Sequence, residues 1–336
     1  MTKHRLVASF LGILLALPAW AAETVTSRQE KHMGTYVTIT VAAPESPEVL
    51  ASIAAGFAEV NRLEDLLSEW RADSQISKVN RAAGQEAVVV DPELFKVAKM
   101  AHEVSAKTHG AFDVTFAALS GLWDFKAKKP VLPEDENIAK AIKLVNWRGL
   151  GLDAKSHSLH LAQPGMRCGL GAIAKGYVVD RVSAILKARG QANHLVIAGG
   201  DLYAAGRKGG KPWRIGIQHP AGRGLYAAMD VVNQGVATSG NYEKFFILEG
   251  KRYHHILDPR TGRPARGASS ATVLAKTAAE ADAYATGLFV LGPEEGKKLA
   301  ESIPGLDVLF FREDYSTTAT DGITSRLQPV IRGEAE

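Results

Sequence analysis

The stretch FFILEGKRYHHIL, residues 245–257, contains two short runs of apolar and β-favouring residues separated by Glu249-Gly250-Lys251. Such runs on either side of a glycine-containing turn predict a β-hairpin, with strands over 245–248 and 252–257. A hairpin pairs its strands antiparallel, so this stretch indicates antiparallel sheet in the second half of the chain. Two earlier runs with similar character, 213–217 and 227–232, support the same prediction.

Outward from this region, helices and strands mix along the whole chain. The pairs Ser46-Pro47 and Asp91-Pro92 are each followed by glutamate, which is typical of a helix start, and Gly110 is a candidate helix end. Periodicity predicts helices from 46 to about 70, 91–110, 174–186 and 277–291, and strands at 36–41, 194–198, 271–275 and 308–311. The sequence therefore predicts an α+β fold with mixed, largely antiparallel sheets and packed helices.

Composition excludes several classes of protein. The chain has 336 residues, 46% of them hydrophobic, a mean hydropathy of −0.06 and one cysteine, Cys168. These values are typical of a globular protein, and one cysteine excludes a disulfide framework or a cysteine-rich metal site. The formal charge of +4 is not gathered into a Lys/Arg cluster, so nucleic acid is not an expected partner. We expect residues 22–336 to form one domain or two intimately joined subdomains.

Residues 1–21 have the pattern of a secretory signal peptide. Lys3, His4 and Arg5 precede an apolar run over 6–17, and the small-residue site Ala19-Trp20-Ala21 follows. The alternative is an uncleaved anchor, but the run is shorter than the roughly 20 residues that a spanning helix needs. We expect cleavage after Ala21, with no membrane span left and a soluble periplasmic product.

A glycine-rich segment, Gly169 to Ala174, fits the dinucleotide fingerprint G-x-G-x-x-A and opens a predicted helix. Pro164 and Gly165 interrupt the strand that should precede it, and no acidic residue follows at the expected spacing, which argues against a nicotinamide site. A glycine-rich turn entering a helix still exposes backbone N–H groups to a phosphate, and Lys175 adds positive charge there.

Two further candidates carry chemistry. Asp282 and Thr286 are four residues apart on a predicted helix, so they share a face and could hold Mg²⁺, or they could be an ordinary solvated pair. His254 and His255 are adjacent on a predicted strand, so one should face inward and the other solvent. An imidazole there could be a general base or a structural turn residue.

Taken in order, these segments resemble the ApbE family of FAD:protein FMN transferases, and the resemblance covers nearly the whole chain after residue 21. The matching segments are Met33-Gly34-Thr35, 67–70, 73–80, 110–115, 172–177, 199–201, 212–214, 237–240, 255–262 and 280–286. The resemblance implies an ApbE-like architecture related to the T-fold.

The resemblance also implies roles for individual residues. The FAD site would be lined by Met33, Trp70, Ala111, Phe112, Asp113, Lys175 and Leu257, with Ser239 and Gly240 nearby in a Thr-Ser-Gly turn. Mg²⁺ would be held by the backbone carbonyl of Ala172 and the side chains of Asp282 and Thr286, and His255 would be the catalytic base. Trp70 could instead be a core tryptophan.

The implied reaction is Mg²⁺-dependent transfer of FMN from FAD to a Ser or Thr hydroxyl of an exported acceptor protein, with release of AMP. The implied acceptors are flavoprotein subunits of respiratory or electron-transport complexes. Two alternatives stay open, a Mg²⁺-dependent FAD pyrophosphatase that yields FMN and AMP, and a non-catalytic flavin-binding protein.

Three positions depart from the family pattern. Gly169 stands where many members have an acidic residue, which affects one expected cofactor contact. Ala285 stands where some members have a metal-ligating aspartate, and the lipid-attachment cysteine after the leader is missing.

Overall fold

The computed structural model describes residues 24–222 and 224–329; the predicted signal peptide, residues 1–21, lies outside them. The helices are α1 (Pro47–Leu67), α2 (Gln75–Arg81), α3 (Pro92–Lys107), α4 (Asp135–Ile142), α5 (Ala174–Ala188), α6 (Ala278–Ser302) and α7 (Asp321–Thr324). The strands are β1 (Thr26–His32), β2 (Thr35–Val41), β3 (Val88–Val89), β4 (Leu150–Asp153), β5 (Ser158–Leu161), β6 (His194–Ala198), β7 (Asp201–Ala205), β8 (Trp213–Gln218), β9 (Leu225–Val231), β10 (Gln234–Gly240), β11 (Phe245–Leu248), β12 (Lys251–His254), β13 (Leu257–Asp258), β14 (Arg263–Pro264), β15 (Ala268–Ala275), β16 (Asp307–Arg312), β17 (Thr317–Ala319) and β18 (Leu327–Pro329).

The central element is an eight-stranded sheet in the order β1-β2-β6-β7-β10-β15-β16-β17, with antiparallel pairing at every step. Three- and two-stranded sheets surround it, and the hairpin predicted over 245–257 is present as β11 and β12. The predicted α+β class with largely antiparallel sheet is confirmed.

Alternate residues of the central sheet face two separate cores, as the period of a strand requires. On β16, Val308 and Phe310 join the larger core beneath the helices, whereas Leu309 and Phe311 join a smaller core. The smaller core is closed by a three-stranded sheet of β8, β9 and β18. The three-stranded sheet covers one face of the central sheet, and the helices that carry the site cover the other face.

Helices α5 and α6 hold each other through their N-termini. Both carboxylate oxygens of Asp180, on α5, accept hydrogen bonds from the first N–H groups of α6, Ala278 at 2.8 Å and Ala279 at 2.9 Å. In return Asp282, on α6, accepts from the backbone N–H of Gly176 at 3.0 Å. Two N–H groups at the start of α6 and one at the start of α5 are thereby satisfied by a carboxylate of the other helix.

Three local predictions need correction. The strand predicted over 252–257 ends at His254, and Leu257 instead begins a short hairpin with Pro264. The helix predicted over 277–291 is followed directly by a second helical segment, because Gly292 turns the chain at φ 82° and Pro293 suits the first position of a new helix. Ser239 and Gly240 lie in strand β10 rather than in a turn.

No helix among the residues the structure describes combines the length and apolar character needed to cross a bilayer.

Candidate active site

The N-terminus of α5 is the centre of the site. The turn over 171–173 leads into the helix, and Ile173, at the N-cap position, provides no side-chain cap. The first turn is bonded instead by Asp282, whose Oδ2 receives the N–H of Gly176. The N–H of Ala174 in the same turn bonds the carbonyl of Leu170 at 2.9 Å, so an anionic group here would be favoured by Lys175 and by the positive end of the helix dipole.

Lys175 lies between two buried carboxylates. Its ammonium donates to Asp201 Oδ2, and it lies 3.3 Å and 3.4 Å from Oδ1 and Oδ2 of Asp282. Asp201 is 3% and Asp282 is 4% exposed. Burial alone would lower the pKa of Lys175, but the two carboxylates outweigh it and raise that pKa, so the lysine stays charged. Burial, and next the charge of Asp282, raise the pKa of Asp201.

Oxygen atoms dominate the proposed metal site. Thr286 lies one helical turn beyond Asp282 on α6, and its hydroxyl is 3.4 Å from that of Ser239 on β10. Ala172 is half-buried in the turn before α5, with its backbone carbonyl as the third expected ligand. Hard oxygen donors are what Mg²⁺ requires, and Asp282 provides the one carboxylate among the three expected ligands. The residues present therefore fit the ion.

Few of the groups around the proposed metal site carry a negative charge. Within residues 24–222 and 224–329, no three His, Cys, Asp or Glu side chains gather as a metal-binding group. Ala285, where the resemblance expects an aspartate in some members, is buried and has no donor atom in its side chain.

Only the inward-facing histidine matches the expectation, because β12 ends at His254 and His255 lies just beyond the strand. His254 is 5% exposed, and its Nε2 donates to the carbonyl of Ala265 at 2.9 Å. His255 is half-buried, with Nδ1 at 3.3 Å from the carbonyl oxygen of Lys244. Burial, and next the positive charge of Lys244, lower the pKa of His255 to about 4, and Lys175 contributes in the same direction. The imidazole is therefore neutral at physiological pH and able to accept a proton.

Trp70 lies in a cleft of about 410 Å³ beside the segment that leads to α5. Its side chain is 82% exposed, which excludes the alternative of a core tryptophan. The cleft is lined by Glu69, Trp70, Ala72, Ser77, Asn80, Arg81, Gly165, Met166 and Arg167. An exposed indole in a cleft is a suitable surface for a flat ring.

Glu69 accounts for the missing side chain at position 169. A Cβ built on Gly169 would lie 1.7 Å from Oε2 of Glu69, so the glutamate fills that space. Oε2 is buried without a hydrogen-bond partner among the described residues, and burial raises the pKa of Glu69 to about 7. The carboxyl expected at 169 is absent there, and one from residue 69 lies in its place.

The segment 111–113 packs against α6, where Cβ of Phe112 would lie 3.1 Å from a Cβ at Gly287, the residue after Thr286. Ala111 and Phe112 are each 1% exposed, so their side chains lie in the core. Asp113 accepts from the N–H and hydroxyl of Thr115 at 2.7 Å and 2.6 Å, and from the N–H of Trp147 at 2.8 Å. Both carboxylate oxygens are therefore already used within the protein.

The geometry resembles that of known proteins. A model of the ApbE family matches residues 33–310, well over half of the chain. The chain belongs to the ApbE family.

Relatives and solved structures of the ApbE family agree over most of the chain. The FAD:protein FMN transferase of Treponema pallidum (strain Nichols) is 35% identical, covering 90% of this chain and 88% of the relative. One from Klebsiella pneumoniae (strain 342) is also 35% identical, covering 84% and 83%. The ApbE protein of Thermotoga maritima superposes with a TM-score of 0.84 at 32% identity, covering 91% of this chain and 100% of that one. The flavin transferase ApbE of Vibrio cholerae gives 0.82 at 30% identity, covering 90% and 99%.

Not all of the residues assigned from the ApbE resemblance come together by direct contact. Hydrogen bonds join Lys175 to Asp282 and Thr286 to Ser239. Met33 lies in the β1–β2 turn, where its N–H bonds Glu64 at 2.8 Å, and Leu257 packs in a separate aromatic cluster. Gly240, at the end of β10, packs under the ring of Tyr242, which a Cβ would meet at 2.6 Å.

Two site residues were missed as functional candidates. Asp201 was visible only as part of the segment Gly199-Gly200-Asp201, which alone does not indicate a salt bridge to Lys175. Glu69 stands next to Trp70 in sequence, but its proximity to Gly169 depends on how α1 and the turn before α5 pack. Neither contact has a local sequence signal.

Proposed function

We propose that this chain is a FAD:protein FMN transferase that moves FMN from FAD to a Ser or Thr hydroxyl of an acceptor protein and releases AMP. The observation that carries the proposal is the charged Lys175, held between Asp201 and Asp282 at the N-terminus of α5 near the neutral His255. A cationic side chain at the positive end of a helix dipole favours a pyrophosphate, and a neutral imidazole is a proton acceptor. The curated relatives that match most of the chain carry this activity in their names.

In the proposed reaction, the acceptor hydroxyl attacks the phosphorus on the FMN side of the pyrophosphate. A new oxygen–phosphorus bond forms, the bond from that phosphorus to the bridging oxygen breaks, and AMP leaves with the bridging oxygen. His255 takes the hydroxyl proton, while Lys175 and the positive end of the α5 dipole stabilise negative charge on the phosphate oxygens. The product is a phosphoester between FMN and the acceptor.

A magnesium ion belongs to the same proposal. The carbonyl of Ala172 and the side chains of Asp282 and Thr286 would hold it, and it would neutralise charge on the pyrophosphate oxygens. The exposed face of Trp70 would hold a flat ring of FAD.

Location and partners complete the proposal. The leader pattern of residues 1–21 supports export to the periplasm, and the acceptor would be the exported domain of an electron-transport flavoprotein.

The test is incubation of residues 22–336 with FAD and Mg²⁺, with and without such an acceptor domain, while AMP and acceptor mass are followed. Transfer predicts an acceptor heavier by one FMN group and AMP release that depends on Mg²⁺. Release of FMN and AMP without labelling would instead show a pyrophosphatase. FAD that stays bound and intact would show a flavin-binding protein.

A further inference from the structure

A side chain at position 169 would have to displace the end of a neighbouring side chain, whereas the backbone there is unstrained. Gly169 does not have a positive φ, so an ordinary residue could adopt its conformation. The obstacle is Glu69, whose Oε2 and carboxyl carbon would lie 1.7 Å and 2.7 Å from an added Cβ. A glycine here is therefore matched to the glutamate.

The segment around Gly169 is held firmly, so the match is not a product of a loose loop. The N–H of Gly169 bonds the carbonyl of Val114 at 2.8 Å. The preceding residue, Cys168, exchanges two hydrogen bonds with the side-chain amide of Asn80, at 2.7 Å and 3.0 Å. The carboxyl of Glu69 thus faces a backbone whose position is set by α2 and by Val114.

The carboxyl of Glu69 is a polar group in buried surroundings, which is energetically unfavourable. Its Oε2 has no hydrogen-bond partner among the residues the structure describes, and the nearest charge that lowers its pKa is Arg167. A buried acceptor without a donor destabilises a fold, so a bound water, ion or ligand that supplies a donor would be stabilising here. Glu69 lines the same cleft as the exposed Trp70.

Together these groups suit one kind of ligand. An exposed indole offers a stacking face, and a carboxyl beside it accepts hydrogen bonds from N–H groups at the edge of a stacked ring. FAD has two such rings, the flavin with its imide N–H and the adenine with its amino group. The shared chemistry is a flat heterocycle with an N–H donor on its edge.

We propose that Glu69 is a positioning and specificity residue for FAD, providing from the end of α1 the ring-edge carboxyl that the glycine at 169 leaves out. This inference rests on the proposed function, because it takes FAD as the substrate. It goes beyond that function because it assigns a role to Glu69 and proposes that residue 69 provides the carboxyl in place of residue 169.

The first experiment measures binding of FAD, FMN and ADP to wild type and Glu69→Ala by calorimetry, with Glu86→Ala as the control. Glu86 is an exposed carboxylate outside the cleft and should leave all three affinities unchanged. Loss of a hydrogen bond to a carboxyl should weaken FAD about tenfold in Glu69→Ala. FMN weakened in parallel would place the flavin ring at Glu69, and ADP weakened in parallel would place the adenine there.

The second experiment places a carboxyl on residue 169 to replace the one removed from residue 69. The double variant Glu69→Ala/Gly169→Asp removes the nearer obstacle, leaves only Ala117 Cβ at 3.1 Å, and puts a carboxyl on residue 169, so it should recover most of the FAD affinity. Gly169→Asp alone should lower the melting temperature, because the new Cβ meets Glu69. In transfer assays, Glu69→Ala should raise the KM for FAD and leave kcat nearly unchanged.

The outcomes separate this inference from the proposed function. Wild type that binds and transfers FAD, with Glu69→Ala unchanged in affinity, would overturn the role of Glu69 alone. A weakened Glu69→Ala that stays folded but is not rescued by Gly169→Asp would overturn the exchange of positions. Wild type that does not bind FAD would overturn both proposals.

Discussion

His255 is set in surroundings that fix its protonation state before any substrate arrives. Burial and the charge of Lys244 lower its pKa to about 4, so its imidazole is neutral above pH 5. A neutral imidazole at this position can receive the proton of an attacking hydroxyl. Because this pKa is so low, we also expect that protonation of His255 does not reduce transfer between pH 8 and pH 6.

The residue-scale prediction for His255 separates binding from chemistry. His255→Ala should leave the Kd for FAD within about twofold of wild type and reduce transfer by a factor on the order of 10² to 10⁴. Calorimetry and acceptor mass measure the two effects. The buried neighbour His254 bonds Ala265 and should behave differently, with His254→Ala lowering stability first. Transfer in His255→Ala comparable to wild type would exclude the base.

A second residue-scale prediction concerns Asp282. Asp282→Asn keeps the size of the side chain but removes the charge that faces Lys175 and the proposed ion. Activity should fall, and the Mg²⁺ concentration for half-maximal activity should rise at least tenfold. Glu295→Gln, an exposed change on the same helix, is the matched control. An unchanged Mg²⁺ titration in Asp282→Asn would place the metal elsewhere.

At the scale of elements, the close approach of α5 and α6 determines the site. Each helix caps the other through Asp180 and Asp282, and Gly176 allows the contact, since a Cβ there would lie 2.2 Å from the carbonyl oxygen of Ala278. That contact is with backbone, which cannot rotate away as a flexible side chain can. The distance between Lys175 and Asp282 therefore depends on a glycine rather than on either charged residue.

The element-scale prediction follows from this contact. Gly176→Ala should push α5 and α6 apart and lower the free energy of unfolding by about 1–3 kcal/mol, despite the better helix propensity of alanine. Gly171→Ala is the control, because a Cβ there meets nothing within 4 Å. Urea unfolding of both variants measures the difference. Equal stability of the two variants would show that the helices adjust without cost.

At the scale of the whole molecule, buried titratable groups act on stability in opposite directions. His194 is 0% exposed, with Nδ1 at 2.7 Å from the carbonyl of Gln191 and Nε2 at 2.8 Å from the Ser183 hydroxyl. Burial lowers the pKa of His194 to about 4 from its ordinary 6.5, so the unfolded chain binds more protons between these values. Neutral His194 thus contributes on the order of 3 kcal/mol to the free energy of unfolding. This contribution is present above pH 6.5 and is lost as the pH falls towards 4.

Glu69 changes the folding stability with pH in the opposite direction. Burial raises its pKa from 4.5 to about 7, so the folded protein binds the extra proton in that range. Its favourable contribution is present below pH 4.5 and is lost as the pH rises through 7. The two groups therefore compensate each other between about pH 5 and pH 6.5.

The whole-molecule prediction uses that compensation. Without ligand, Glu69→Gln should lose melting temperature more steeply than wild type when the pH is lowered from 7.5 to 5, and His194→Gln less steeply. At pH 8, Glu69→Gln should be more stable than wild type, because no buried charge remains. Scanning calorimetry across this range measures all three proteins. Parallel profiles for Glu69→Gln and wild type would show that Glu69 titrates normally.

The sequence by itself determined the local elements of this protein. Helix starts such as Ser46 with Pro47 and Asp91 with Pro92 depend on residues within four positions, and the structure has both caps in place. Alternation predicted β2 and the antiparallel hairpin β11–β12 for the same reason. The ordered family segments added the expected site residues, whose roles remain predictions.

Only the tertiary structure decided how those elements meet. Lys175 reaches Asp201 across 26 positions and Asp282 across 107, and Glu69 fills the space at Gly169 across 100. Such contacts depend on how α1, α5 and α6 pack on the central sheet, which no periodicity within one element encodes. The local sequence therefore specified which side chains were available, while packing between distant segments specified their partners, their burial and hence their charge states.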